Sequence, residues 1–286
     1  MVKEINLREE RDFGQKLNAS FAFVQANFKS LVKVIFLLVG PLIILGGFFF
    51  GLSYSEMMNN ALAGAMETMD GYEEITNLLV SYFFLGLGSF WMQVVVYSYM
   101  AEYLDGNRNI GVEDVWKRAS KKIFKGILTA FLISIMVVLG FILFIIPGIY
   151  LMIALSLAFP IIIFEDRDVF ESIGRSFTLI SGKWWSTLGI LMIMGMIANL
   201  GSMVFGLPFI FVMILNAIFQ LGDMGQIMTI LFSCLLFLGT YIMSVLPALA
   251  LGFQYFNLVE KKEGIGLLEK IEQLGTSQDT GNEGDY

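Results

Sequence analysis

Residues 126–164 read GILTAFLISIMVVLGFILFIIPGIYLMIALSLAFPIIIF, 39 consecutive positions with no Asp, Glu, Lys or Arg. A helix crosses a bilayer core in about 20 apolar residues, so two crossings consume the whole stretch. Pro147 and Gly148 stand just past its centre. Proline disrupts a helix interior and glycine tolerates turn geometry, which predicts a tight hairpin with Pro147 and Gly148 as its structural turn. A shallow re-entrant hairpin gives the same topology. One long kinked helix would instead carry Arg167 and Arg175 to the opposite side from the other bases.

The same pattern extends in both directions. Residues 34–55, 75–101, 184–222 and 224–259 also lack any Asp, Glu, Lys or Arg. The chain is 57% hydrophobic with a mean hydropathy of +0.74, and its 15% charged content lies well below the roughly 25% of a soluble domain. A polytopic, all-α integral membrane protein follows. The 18 Lys and Arg fall into clusters: six before residue 34, six between 108 and 125, and the rest at 167–183 and 261–270. The stretches 51–77 and 207–226 hold none. Because positive loops stay cytoplasmic, both termini are expected inside, with six transmembrane helices in three hairpins. This divides the chain into a cytoplasmic N-terminus (1–30), a six-span membrane domain (31–260), and a short cytoplasmic helix with a disordered acidic tail (261–286). Pro208 and the short apolar piece after it (209–219) read as an interfacial or re-entrant segment between spans five and six. The net charge of −7 reflects acids in the outer loop and the tail rather than a partner.

Two cytoplasmic segments resemble each other. Residues 11–31, RDFGQKLNASFAFVQANFKSL, shifted by 156 positions, meet 167–187, RDVFESIGRSFTLISGKWWST, with identities at Arg11/Arg167, Asp12/Asp168, Ser20/Ser176, Phe21/Phe177 and Ser30/Ser186. Apolar residues fall at Phe13, Leu17, Phe21, Val24 and Phe28 in the first and at the same offsets in the second, a spacing that lines one helix face. A partial copy follows Asp114 at Val115, Ala119 and Ile123. The unit is thus an amphipathic surface helix preceding each hairpin, by duplication or by convergence. Such helices suit the anionic cytoplasmic leaflet, with Trp116, Trp184 and Trp185 at headgroup depth.

The candidate lipid- or partner-binding surface comprises Arg11, Asp12, Glu165, Arg167, Asp168, Arg175, Trp184 and Trp185. The competing reading of its charges is helix capping and a local ion-pair network. Gly47 and Gly51 form a GxxxG pair for close helix packing, within the chain or across a dimer. No histidine, phosphate loop or nucleophile motif occurs, and the lone Cys234 lies within an apolar run. Neither catalysis, a cofactor nor a metal is therefore expected. Ionisable residues are absent from the spans, which disfavours proton-driven transport.

Residues 145–185, IIPGIYLMIALSLAFPIIIFEDRDVFESIGRSFTLISGKWW, resemble a widespread group of bacterial membrane proteins that includes the membrane domain of glycerophosphoryl diester phosphodiesterases. The shared features are Pro-Gly before a span, an acid at its end (Glu165), then a helix with Arg-Ser-Phe and an aromatic pair. Arg-Asp-Phe-Gly at 11–14 and YFNLVEKKEG at 255–264 look like the Bacteroidota versions. The resemblance implies a bacterial inner-membrane location. Phosphodiesterase activity does not carry over, because no such domain is present, and a histidine-ligated iron centre of the carotene oxygenase kind has no ligands here. The expected role is non-catalytic: lipid interaction, or service as an accessory or scaffold component, with membrane lipids, a membrane-protein partner or a second copy as partners and no nucleic acid. The alternative is a permease for a lipid-like or uncharged amphipathic solute, which requires a midplane cavity lined by Ser81, Ser89, Gln93, Asn199 and Ser233.

Overall fold

The computed structural model describes residues 5–62 and 72–264. They form ten α-helices and no strand: α1 (Phe13–Leu38), α2 (Gly40–Leu62), α3 (Tyr72–Leu104), α4 (Val112–Ser120), α5 (Ile123–Leu143), α6 (Ile145–Ala154), α7 (Ala158–Phe164), α8 (Val169–Ile180), α9 (Trp184–Phe219) and α10 (Asp223–Glu263). Seven segments are long and apolar enough to cross a membrane: α1, most of α2, α3, α5, the α6–α7 pair, α9 and α10. The tail beyond Gly264 lies outside the described residues.

Helix α10 is the axis of the bundle, packed by α9, α2, α1 and α3. Glycines set the closest approaches. A Cβ on Gly47 would fall 2.8 Å from the Cα of Cys234, and one on Gly51 would fall 2.6 Å from the Cα of Ile230. The GxxxG pair thus seats α2 against α10 of the same chain. The Ser233 hydroxyl donates to the Gly47 carbonyl at 2.7 Å and Ser81 donates to the Gly46 carbonyl at 2.8 Å, which stitches α10 and α3 to α2.

Several boundaries differ from the sequence-based expectations. Helix α1 begins with a capping box in which the Gln15 N–H donates to Asp12 Oδ1 at 2.7 Å and the Asp12 N–H to Gln15 Oε1 at 2.9 Å. It then runs unbroken past residue 31 to Leu38, because no helix breaker intervenes before Gly40-Pro41. The reversal after α5 is centred on extended Phe144 (φ −164°, ψ 160°), three residues before the expected turn. Pro147 and Gly148 lie inside the first turn of α6, where a missing proline N–H costs no helical hydrogen bond. Gly148 is needed for closeness: a Cβ there would meet the Phe141 ring at 2.4 Å. The segment after Pro208 is not separate either, since α9 continues through it to Phe219. One interior proline removes a single ladder bond and is tolerated in an otherwise apolar helix.

Candidate functional site

The basic residues gather at one end of the bundle, where the start of α1, the end of α3, α4, the start of α5, α8 and the end of α10 meet. Glu165, just past α7, is the hub of one network. It accepts from Arg167 Nε at 2.5 Å, from Arg175 Nε at 3.1 Å and from the Tyr255 hydroxyl at 3.0 Å. Arg175 also grips Glu263 at 2.5 Å, tying α8 to the end of α10. These candidate residues are occupied by one another, as the ion-pair reading of the sequence has it.

Arg11 is buried, although an arginine ahead of an amphipathic helix is ordinarily solvated. Its guanidinium donates to the carbonyls of Leu7 and Asn6 and to Glu9, and lies 5.3 Å from the Phe253 ring centre. Burial pushes its pKa down from the ordinary arginine value, and Glu9 opposes that shift. The Arg11 backbone N–H donates to Asn257 Oδ1 at 2.9 Å. One turn and a half onward, Lys16 is 3% exposed. Its ammonium donates to Gln254 Oε1 at 2.7 Å and to Ser186 Oγ at 3.5 Å, while Gln254 Nε2 donates to Thr187 Oγ1 at 3.0 Å. Sequence reading missed this cluster because a lysine on an amphipathic helix is ordinarily solvated.

The two similar segments bury corresponding positions. Lys16, Ser20, Phe23, Leu31 and Val34 are buried in the first, and Ser172, Ser176, Leu179, Thr187 and Ile190 in the second. Of the apolar stripe, Val169, Ile180, Val115 and Ala119 are buried, whereas Phe13 and Phe28 of the first segment are exposed. Small hydroxyl residues satisfied by carbonyls permit close approach, as where Ser176 donates to the Ala154 carbonyl at 2.6 Å. Among the aromatics, Trp184 stacks on Tyr150 and donates to its carbonyl at 3.2 Å, so it serves packing, whereas Trp185 is 79% exposed.

Asp12 and Asp168 hold equivalent places before their helices but act differently. Asp12 closes its capping box. Asp168 makes no capping bond with its side chain and instead pairs with Lys125 at 2.9 Å. Neighbouring Asp166, in the left-handed region (φ 53°), pairs with Lys122, whose hydrogen bond holds the carboxyl below its ordinary pKa.

Beside this loop opens a cavity of about 700 Å³ between α4, the start of α5, and the end of α7. Its bases are Lys117, Arg118, Lys121, Lys122 and Lys125, facing Glu102, Asp114 and Asp166. The sequence announced these bases only as positive charge: the cluster KRASKKIFK (117–125) was legible, its enclosure was not.

The polar residues expected to line a midplane cavity do not converge. Ser81 and Ser233 bridge helices, and Asn199 donates to the Gly195 carbonyl of its own helix. Gln93 faces an apolar recess of about 410 Å³ under α5 and α6, where its buried Oε1 has no hydrogen-bond partner among the described residues. Among the described residues, no group of three His, Cys, Asp or Glu side chains is placed to hold a metal ion.

An all-helical chain with seven long apolar helical segments has the makeup of a membrane protein. Residues 71–258 match a family described as a domain of unknown function, DUF7847, and the chain belongs to that family. The match runs from the start of α3 through most of α10 and leaves α1 and α2 outside it. No curated protein and no solved structure matches the chain.

Proposed function

We propose that this chain is a non-catalytic, multi-pass protein of the bacterial inner membrane that interacts with lipid through its basic end, in an accessory or scaffold role. The observation that carries this reading is the presence, at that end, of a cavity whose Lys117 and Lys121 pair with no carboxylate among the described residues, together with exposed aromatics. Trp116 on α4 and Phe124 on α5 are exposed, as are Phe170 on α8 and Trp185 on α9. Cations beside interfacial aromatics suit an anionic leaflet. The resemblance of residues 145–185 to membrane domains that accompany phosphodiesterases fits a module of this kind.

We place the basic end in the cytoplasm and count six spans, with α1 entering along the surface before α2 crosses. In a Cys234→Ser background, Tyr72→Cys should react with an impermeant thiol reagent from outside and Phe170→Cys should not. Labelling of Phe170→Cys in intact cells would overturn this topology. For lipid interaction, the purified protein should retain phosphatidylglycerol over phosphatidylcholine in native mass spectrometry, and equal retention would count against it. The permease reading draws on one observation, the unpartnered Gln93 amide oxygen in an apolar recess. A flux of lipid-like solute into proteoliposomes, abolished by Gln93→Leu, would favour that reading instead.

A further inference from the structure

We propose that the cavity between α4, α5 and the end of α7 is a phosphate-binding site, with Lys117 and Lys121 supplying the charge that binds. This rests on the lipid-interaction reading and assigns it a location and a chemical class of ligand.

The inference comes from accounting for each charge around the cavity. Arg118 is spent on Glu102 at 2.6 Å and on Asp105. Lys122 is spent on Asp166, and Lys125 lies 2.9 Å from Asp168 and 3.9 Å from Asp166. Asp114 accepts the Gly111 N–H at 2.9 Å and so serves the start of α4. Lys117 and Lys121 are left with no carboxylate partner among the described residues, and both are exposed. Lys117 and Lys121 are therefore the two bases of the lining that pair with no carboxylate among the described residues.

The surroundings select the ligand class. Lysine binds phosphate as a mobile point charge, without the planar fork with which arginine grips carboxylates and phosphates alike. A volume of about 700 Å³ lies within the usual range of small-molecule sites, and Ile163 and Phe164 add an apolar part to the lining. Phe124, next to Lys125 in the chain, is 79% exposed and suits headgroup depth, whereas Trp116 packs edge-on against Trp91. A phosphate on a lipid headgroup and a free phosphate share this chemistry, and the experiment separates them.

The full chain is reconstituted in nanodiscs, and two probes are compared: phosphatidylglycerol, by native mass spectrometry against phosphatidylcholine, and inorganic phosphate, by calorimetry in phosphatidylcholine alone. The variants are K117Q/K121Q and, as a control removing equal charge from exposed α1 positions, K29Q/K33Q. A lipid site predicts that K117Q/K121Q lowers phosphatidylglycerol selectivity by roughly thirtyfold, from two lysines at the strength of surface lipid attraction. K29Q/K33Q should stay near wild type. If inorganic phosphate binds and only K117Q/K121Q abolishes it, without any lipid selectivity, the site stands with a soluble ligand and the lipid-interaction reading falls. If phosphatidylglycerol selectivity survives in K117Q/K121Q, or falls equally in both variants, the site is overturned while the lipid-interaction reading remains. Absence of binding by either probe in the wild type overturns both. The substituted lysines have no ion-pair partners among the described residues, so unchanged thermal melting of the variants confirms that folding is not the cause.

Discussion

Helix α10 is held in two different ways along its length. In its first half, from Asp223 to Leu246, the contacts are made by absent side chains: Gly47 and Gly51 admit its backbone, and a Cβ on its own Gly239 would meet the Phe205 ring at 2.0 Å. In its second half, every residue from Ala248 to Glu260 is buried, with α1 on one side and α8 on another. There the ties are polar: Lys16 to Gln254, Arg11 to Asn257, Glu165 to Tyr255 and Arg175 to Glu263. The difference follows from the surroundings. Lipid offers no hydrophobic drive between helices, so close packing and a few hydroxyl-to-carbonyl bonds must hold the first half. Near water and headgroups, charged groups can be carried in and satisfied, and they fix which helix lies beside which.

The contrast can be broken most severely in the first half. Gly51→Ala forces a methyl to within contact of the Ile230 backbone, which cannot move without separating α2 from α10. A loss of about 3 kcal/mol is expected, read as a fall in the detergent melting temperature or a failure to recover folded protein. In the second half, Arg175→Ala should cost about 2 kcal/mol, because Glu263 loses its partner while Arg167 and Tyr255 still hold Glu165. The paired aspartates sharpen the comparison between the two similar segments. Asp12→Ala removes a capping box and should cost about 1 kcal/mol. Asp168→Ala, at the equivalent position, removes only an exposed ion pair and should leave the melting temperature unchanged. Equal effects of these two substitutions would mean that the two helix starts are built alike.

Much of this organisation was readable from residue order. The uncharged stretches located the long helices, the clusters of Lys and Arg identified one end, and the glycine pair in α2 announced a close contact. Boundaries set by single residues were less legible. Pro147 looked like a turn because its effect depends on register, and at the third position of α6 it breaks nothing. Pro208 looked like an end, yet α9 absorbs it. The break between α8 and α9 rests on Gly182 (φ 74°), inside a stretch whose apolar periodicity continues across it. In the site, the acid and base pairs around Glu165 were visible as a dense charge group. The burial of Lys16 was not, because nothing in α1 indicates that Gln254, some 240 positions away, will meet it. The burial of Ser20, Ser172 and Ser176 was hidden for a related reason. Periodicity finds apolar residues, whereas a helix bordering lipid can turn its small and hydroxyl residues inward.

The central claim is that polar ties add to apolar contact, such as that of Phe23 with Phe253, in fastening the second half of α10 to α1. A double-mutant cycle of Lys16→Met and Gln254→Leu, followed by equilibrium unfolding in detergent, tests it directly. Each single substitution leaves a buried polar group without its partner, and the double variant removes both. The expected coupling is about 1 to 2 kcal/mol, with the double variant losing less than the sum of the singles. Strict additivity would show that Lys16 and Gln254 do not hold these helices together, and would contradict the account.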